Sequence, residues 1–249
     1  MTVEEMKEGL KNIQYHTIKL TDYKEFFVEY QFNGKTINEI ERKGIINMFN
    51  EVMEQYLSGM PLIFKSLEMY KDRQDTFGEI NRIVSYSFLF TITTMLDYHV
   101  AGKYFLLADN DYDKRFMRGK MYVILNEGFK KLYGFDAKTK PKSEWTKLKS
   151  IMPAFPLIIQ QQYDRLSSLL NELSTSSNWW RDQRNFETHL DVEHLYQSRQ
   201  KELSEGAVMM ESLKLYNALL AVNQFLTNVN ACITNYLIDK YNKGELAEE

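Results

Sequence analysis

The sequence predicts an all-α fold, an up-and-down bundle of long antiparallel helices with an N-terminal helical extension. Three observations carry this. Only 11 Gly and 4 Pro occur in 249 residues, too few for a β chain with many tight turns. A hydrophobic fraction of 44% and an aromatic fraction of 14% supply a packed core, and a charged fraction of 26% argues against disorder. Apolar residues recur at steps of three and four along most of the chain. Residues 1–75 read as the extension, 76–243 as the bundle and 244–249 as a frayed tail.

The extension has weak punctuation. Asp22 to Phe32 is aromatic-rich and ends at the turn signal Asn33-Gly34. Phe26, Val28, Tyr30 and Phe32 alternate with polar residues, so a hairpin is the alternative to short helices there. From Thr36 the spacing of Ile37, Ile40, Ile45, Met48, Phe49, Val52 and Tyr56 is helical. Ser58-Gly59-Met60-Pro61 is expected to stop that helix, with another running to about Tyr70.

The bundle is more regular. A helix is expected from Thr76 to Ala108, with Ile80, Val84, Ile92, Met95 and Val100 among its inner positions. Asp109-Asn110-Asp111 is a turn and cap for the next helix, which carries Phe116, Tyr122, Leu125 and Phe129 inward and closes at Gly134. Two long helices joined so briefly must pack antiparallel. A lysine-rich polar link follows from Phe135 to Lys149, and Pro153 and Pro156 break any helix continuing from Trp145. Pro156 suits the first turn of a helix running to about Leu173. Ser174 to Asn178 reads as a capping-rich loop, then a short helix holds Trp179 and Trp180, and a last helix spans about Glu202 to Lys243.

Composition narrows the function classes. The single cysteine, Cys232, excludes an internal disulfide and a cysteine-rich zinc site, and its apolar helical setting predicts a buried thiol. The start of the chain is acidic and lacks the basic and apolar regions of a signal peptide. The longest apolar-rich stretch, Ile83 to Leu96, is 14 residues, short of the ~20 needed to span a membrane. A soluble, cytoplasmic protein with no membrane partner is expected. A net charge of −3 gives no global attraction to nucleic acid. Lys138, Lys140, Lys142, Lys147 and Lys149 form either a solvated face or a phosphate-tracking patch.

Among the residues that carry chemistry, Gly-rich phosphate loops and a Gly-x-Ser-x-Gly elbow are missing. A di-iron bundle needs two Glu-x-x-His pairs; Asp191-x-x-His194 stands alone. Zinc at Glu187, His189, Asp191 and His194 lacks the spacing of a metal site, so neither metal nor cofactor is expected. His16 and His99 have no polar cluster nearby and read as structural or surface residues. His189 and His194 differ, because they lie in a dense polar run directly after Trp179 and Trp180.

At about 100° per residue, Asn185 and His189 share a helix face, while Arg184 stands roughly 140° away from His189 and reaches round with its long side chain. Cation, amide and imidazole then converge on one small anion, for which a phosphodiester is the natural candidate. The alternative is an exposed amphipathic helix with Arg184–Glu187 and Glu187–Asp191 charge contacts.

The run Arg184-Asn185-Phe186-Glu187-Thr188-His189 resembles the Arg-x(4–6)-His signature of HEPN-domain proteins, whose arginine is followed by a polar residue and whose motif precedes the last long core helix. The resemblance covers this one motif and the helix order. It implies a metal-independent endoribonuclease in which the RNA 2′-OH attacks the adjacent phosphorus. His189 would be the acid/base, Arg184 would stabilise the charge growing on phosphorane oxygens, and Asn185 would orient the phosphate or the imidazole. It further implies a homodimer, RNA as partner, and a toxin or phage-defence setting with a cognate antitoxin. Some HEPN proteins are catalytically silent and act as dimerisation, RNA-binding or protein-binding modules, which is the alternative function. Arg181, His194, Trp179 and Trp180 are candidate substrate contacts, the tryptophans by stacking on bases or, instead, one or both as core.

Overall fold

A computed structural model describes residues 3–11, 21–27, 37–188 and 204–244. Seven α-helices lie within them: α1 (Val3–Lys11), α2 (Glu39–Tyr70), α3 (Thr76–Leu107), α4 (Asp111–Leu132), α5 (Glu144–Ile151), α6 (Leu157–Thr188) and α7 (Glu205–Asn242). Short 3-10 turns occupy Tyr23–Phe27, Lys140–Lys142 and Met152–Ala154. The all-α expectation holds, and no strand occurs among the described residues. The alternation that suggested a hairpin at Phe26–Phe32 falls, from Val28 on, outside the described residues.

Helix starts follow local chemistry. Asn38 caps α2 in a reciprocal box, its side chain accepting from the Glu41 N–H while the Glu41 carboxylate accepts from the Asn38 N–H. Asp75, Asn110 and Ser204 cap α3, α4 and α7 by accepting from N–H groups of the first turn. Just beyond α4, Gly134 adopts φ 82°, a conformation that side chains disfavour, and the chain turns toward α5.

Pairings along the long helices run antiparallel. Ser66 of α2 meets Ser85 of α3 at 2.9 Å, while Asn50 accepts from Lys103 at 2.8 Å. Tyr98 and Thr91 of α3 meet Ser212 and Asn223 of α7 at 3.0 and 2.6 Å. Between α6 and α7, the Gln162 side-chain oxygen accepts from both Asn228 and Tyr23, each at 2.9 Å in buried surroundings. Met6, Leu10, Tyr23, Ile37 and Phe49 share one buried cluster with α3–α7, so the described part of the first 75 residues packs into the same core.

Two helix breaks expected from the sequence do not occur. The helix of Glu39–Tyr70 passes through Ser58-Gly59-Met60-Pro61. Pro61 lies on its exposed side, and Phe49 and Tyr56 before it and Ser66 and Tyr70 after it all rest on α3 or the core, so tertiary contact on both sides outweighs one lost backbone bond. Similarly, α6 runs unbroken through Ser174–Asn178. Leu166, Leu170, Leu173 and Trp180 are buried at steps of four, three and seven, one continuous inner stripe, and Ser174 turns its hydroxyl back to the Asn171 carbonyl at 2.6 Å. Three residues assigned to inner faces prove exposed: Val100 (39%), Phe116 (55%) and Ile238 (53%). Cys232 is buried, as its apolar setting implied.

Candidate functional site

The Arg184–Asn185 pair lies near the end of α6, where this helix runs antiparallel to α4. Two contacts fix that register: Trp180 stands edge-on to Phe129 with centroids 5.6 Å apart, and Arg184 reaches Glu127. Because α6 is continuous, the helical offsets read from the sequence apply from Arg181 to Thr188.

The guanidinium is held on two sides. Its Nη1 donates to Glu127 Oε1 at 2.7 Å, and its Nε and Nη2 donate to Asn185 Oδ1 at 3.3 and 2.9 Å. This planar fork fixes orientation as well as charge. Glu127 is itself shared: Asn126 Nδ2 donates to Oε1 at 2.9 Å, and Lys130 Nζ lies 3.5 Å from Oε2. Arg184 and Lys130 against Glu127 leave one net positive charge. The Arg184 side chain is 31% exposed and that of Glu127 46%, so an anion in solvent can compete for the guanidinium.

Below this charged rim the α4–α6 contact dries out. Trp180 is fully buried, which removes it as a stacking surface for bases and makes it core. Its indole N–H and the Asn126 side-chain oxygen are both buried without a hydrogen-bond partner. Arg181 is exposed, 3.9 Å from Asp182, and makes no described contact with the Arg184–Asn185 pair. His189, His194 and the Trp179 side chain lie outside the described residues.

Glu127, Lys130 and Asn126 were not singled out from the sequence. They stand on another helix, 57 positions from Arg184 in the case of Glu127, and no spacing rule connects them. The lysines of the α4–α6 link are exposed; Lys147 pairs with Glu144 at 2.8 Å and Lys140 lies over the Tyr133 ring at 5.4 Å.

The histidine that is described, His99, occupies a different environment. It is fully buried, with Phe49, Tyr216, Tyr98 and Tyr56 ring centroids 4.9, 5.1, 5.8 and 6.3 Å from its own. Neither ring nitrogen has a hydrogen-bond partner, and burial lowers its pKa to about 4. A neutral imidazole sealed this way exchanges no proton with a substrate near neutral pH. Among the described residues no group of three or more His, Cys, Asp or Glu side chains converges to hold a metal ion, and no helix is long and apolar enough to cross a membrane. Comparison with protein-family models, with characterised proteins and with solved structures finds no match to this chain.

Proposed function

We propose that the chain is a HEPN-like protein that acts on RNA as a metal-independent endoribonuclease, with Arg184, Asn185 and His189 around the scissile phosphate. The observation that carries the reading is the guanidinium–amide fork of Arg184 and Asn185, half open to solvent and held in orientation by Glu127 four positions ahead of His189. A phosphodiester oxygen replaces the Glu127 carboxylate on Arg184, exchanging one oxyanion for another.

His189 takes the proton of the RNA 2′-OH, the 2′ oxygen bonds to phosphorus, and the bond to the 5′ oxygen breaks. An imidazolium returns a proton to that leaving oxygen, and the products are a 2′,3′-cyclic phosphate and a 5′-OH. Arg184 carries the charge that builds on the non-bridging oxygens. In this reading the active unit is a homodimer, and a toxin or defence protein of this kind has a cognate antitoxin.

A second reading has a specific observation behind it. Arg184 is already neutralised by Glu127, the arrangement expected of a silent RNA- or protein-binding module that uses the same fold without turnover. Incubating the full chain with mixed RNA in excess chelator separates the two. Cleavage that disappears in both His189→Ala and Arg184→Ala is the expected result; a folded wild-type chain that binds RNA and leaves it whole establishes the silent module.

A further inference from the structure

One side of α3 faces the core, and the other carries a second apolar stripe. Tyr86, Phe90 and Thr93, then Val100, Tyr104 and Leu107, with Asp97 between the two triplets, follow alternating steps of four and three. That is the spacing of a helix-on-helix seam, here ~32 Å long. No described element covers it: Tyr86 is 54% exposed, Val100 39%, Tyr104 53% and Leu107 47%. Thr93 satisfies its hydroxyl on the Leu89 carbonyl at 2.7 Å, so it asks for no polar partner across the seam.

Neighbouring helices widen the stripe. Tyr56 of α2 stacks on His99, and in an antiparallel pair the next residues along, Leu57 and Val100, stand on the same side. Leu57 is 53% exposed there. On the other flank, Phe116 of α4 is 55% exposed and shares a cleft of about 340 Å³ with Tyr104 and Leu107. At roughly 100 Å² for each half-exposed large side chain, this face presents about 600 Å² of apolar surface. That is the upper end for a monomer and approaches the ~800 Å² each partner gives a stable interface.

We propose that this face is the interface between two copies of this chain, with α3 lying antiparallel on α3 across a two-fold axis at Asp97. The seam reads the same in both directions from Asp97. Superposed antiparallel, it sets Tyr86 against Leu107, Phe90 against Tyr104 and Thr93 against Val100 of the second copy, a self-complementary arrangement that closes as a dimer. The two Asp97 carboxylates meet near the axis and oppose association, so removing their charge strengthens it. The inference rests on apolar area and seam symmetry and does not depend on the RNA reading.

Sedimentation velocity of the full chain from about 1 to 100 μM tests it, the range in which a modest interface dissociates. A reversible wild-type dimer is expected. Val100→Glu and Tyr104→Glu become monomers with unchanged helical circular dichroism, and Asp97→Asn binds severalfold more tightly. Leu62→Glu, turned roughly 140° around α2 from Leu57, leaves the dimer intact. A wild-type chain that stays monomeric throughout, or a dimer that both glutamate variants leave whole, overturns the proposal. RNA cleavage assayed on the same samples keeps the two readings apart: a monomer that still cleaves sinks this interface and spares the nuclease.

Discussion

At the α2–α3–α7 contact an imidazole sits dry among four rings, whereas at the α4–α6 contact a guanidinium is wrapped in oxygen acceptors and half open to solvent. Both regions place a nitrogen base between long antiparallel helices, and the surroundings give the two bases opposite properties. His99 meets no acceptor, so burial pins it neutral and its ring acts as one more aromatic wedge. Arg184 meets a carboxylate and an amide, so it keeps its charge and remains exchangeable with solvent anions. A titratable residue is thus read by its acceptors and its access to water, not by its type.

Substitution at the charged end breaks the comparison with the largest effect. Arg184→Ala and His189→Ala should each lower the rate of RNA cleavage by about 10²–10³-fold with the fold intact, checked by single-turnover kinetics beside circular dichroism. At the dry end the expected damage is to stability. Phe49 is the one fully buried side chain of α2 and lies against Gly102, where an added Cβ would stand 2.9 Å from its ring. Phe49→Ala opens a cavity beside His99 and should cost about 3–5 kcal/mol in denaturant unfolding, with little direct effect on RNA contact.

Next comes acid. The folded-state pKa of His99 is depressed to about 4 from the usual 6.5, so the folded state favours the neutral ring. The stability this contributes is fully present above pH 6.5, declines as pH falls from 6.5 toward 4, and is flat below that. The loss across this window should reach up to about 3 kcal/mol, and His99→Phe should abolish it. Asp136, held below the usual carboxylate range by the Thr139 N–H and hydroxyl, acts only at still lower pH and does not confuse the window.

The smallest effect belongs to Glu127. Its pair with Arg184 is substantially exposed, so Glu127→Gln should change stability by less than about 1 kcal/mol. RNA affinity should rise severalfold, because the competing carboxylate is gone; fluorescence anisotropy in low salt measures this. Unchanged affinity would mean that Arg184 does not meet the phosphate.

What the sequence disclosed follows the range of the interaction. Helix phase and caps are local, and so Asp75, Asn110 and Gly134 stand at the ends that their chemistry suggests. Pro61 and the Ser174–Asn178 run mislead because local propensity costs about 1–3 kcal/mol, less than the burial gained by continuing along a helix already packed on its neighbour. The Arg184–Asn185 pair was legible because its members are adjacent. Glu127 and the rings around His99 were not, since they come from distant segments joined only by the fold.

The claim that Arg184 and its neighbours serve 2′-OH attack meets its most direct test in the ends of the product. The full chain is incubated in excess chelator with an oligoribonucleotide it cleaves and with the same strand made 2′-deoxy at the cleaved position. A 2′,3′-cyclic phosphate on the ribose strand and an intact deoxy strand is the result expected. A 3′-OH end, or equal cleavage of both strands, would contradict the account.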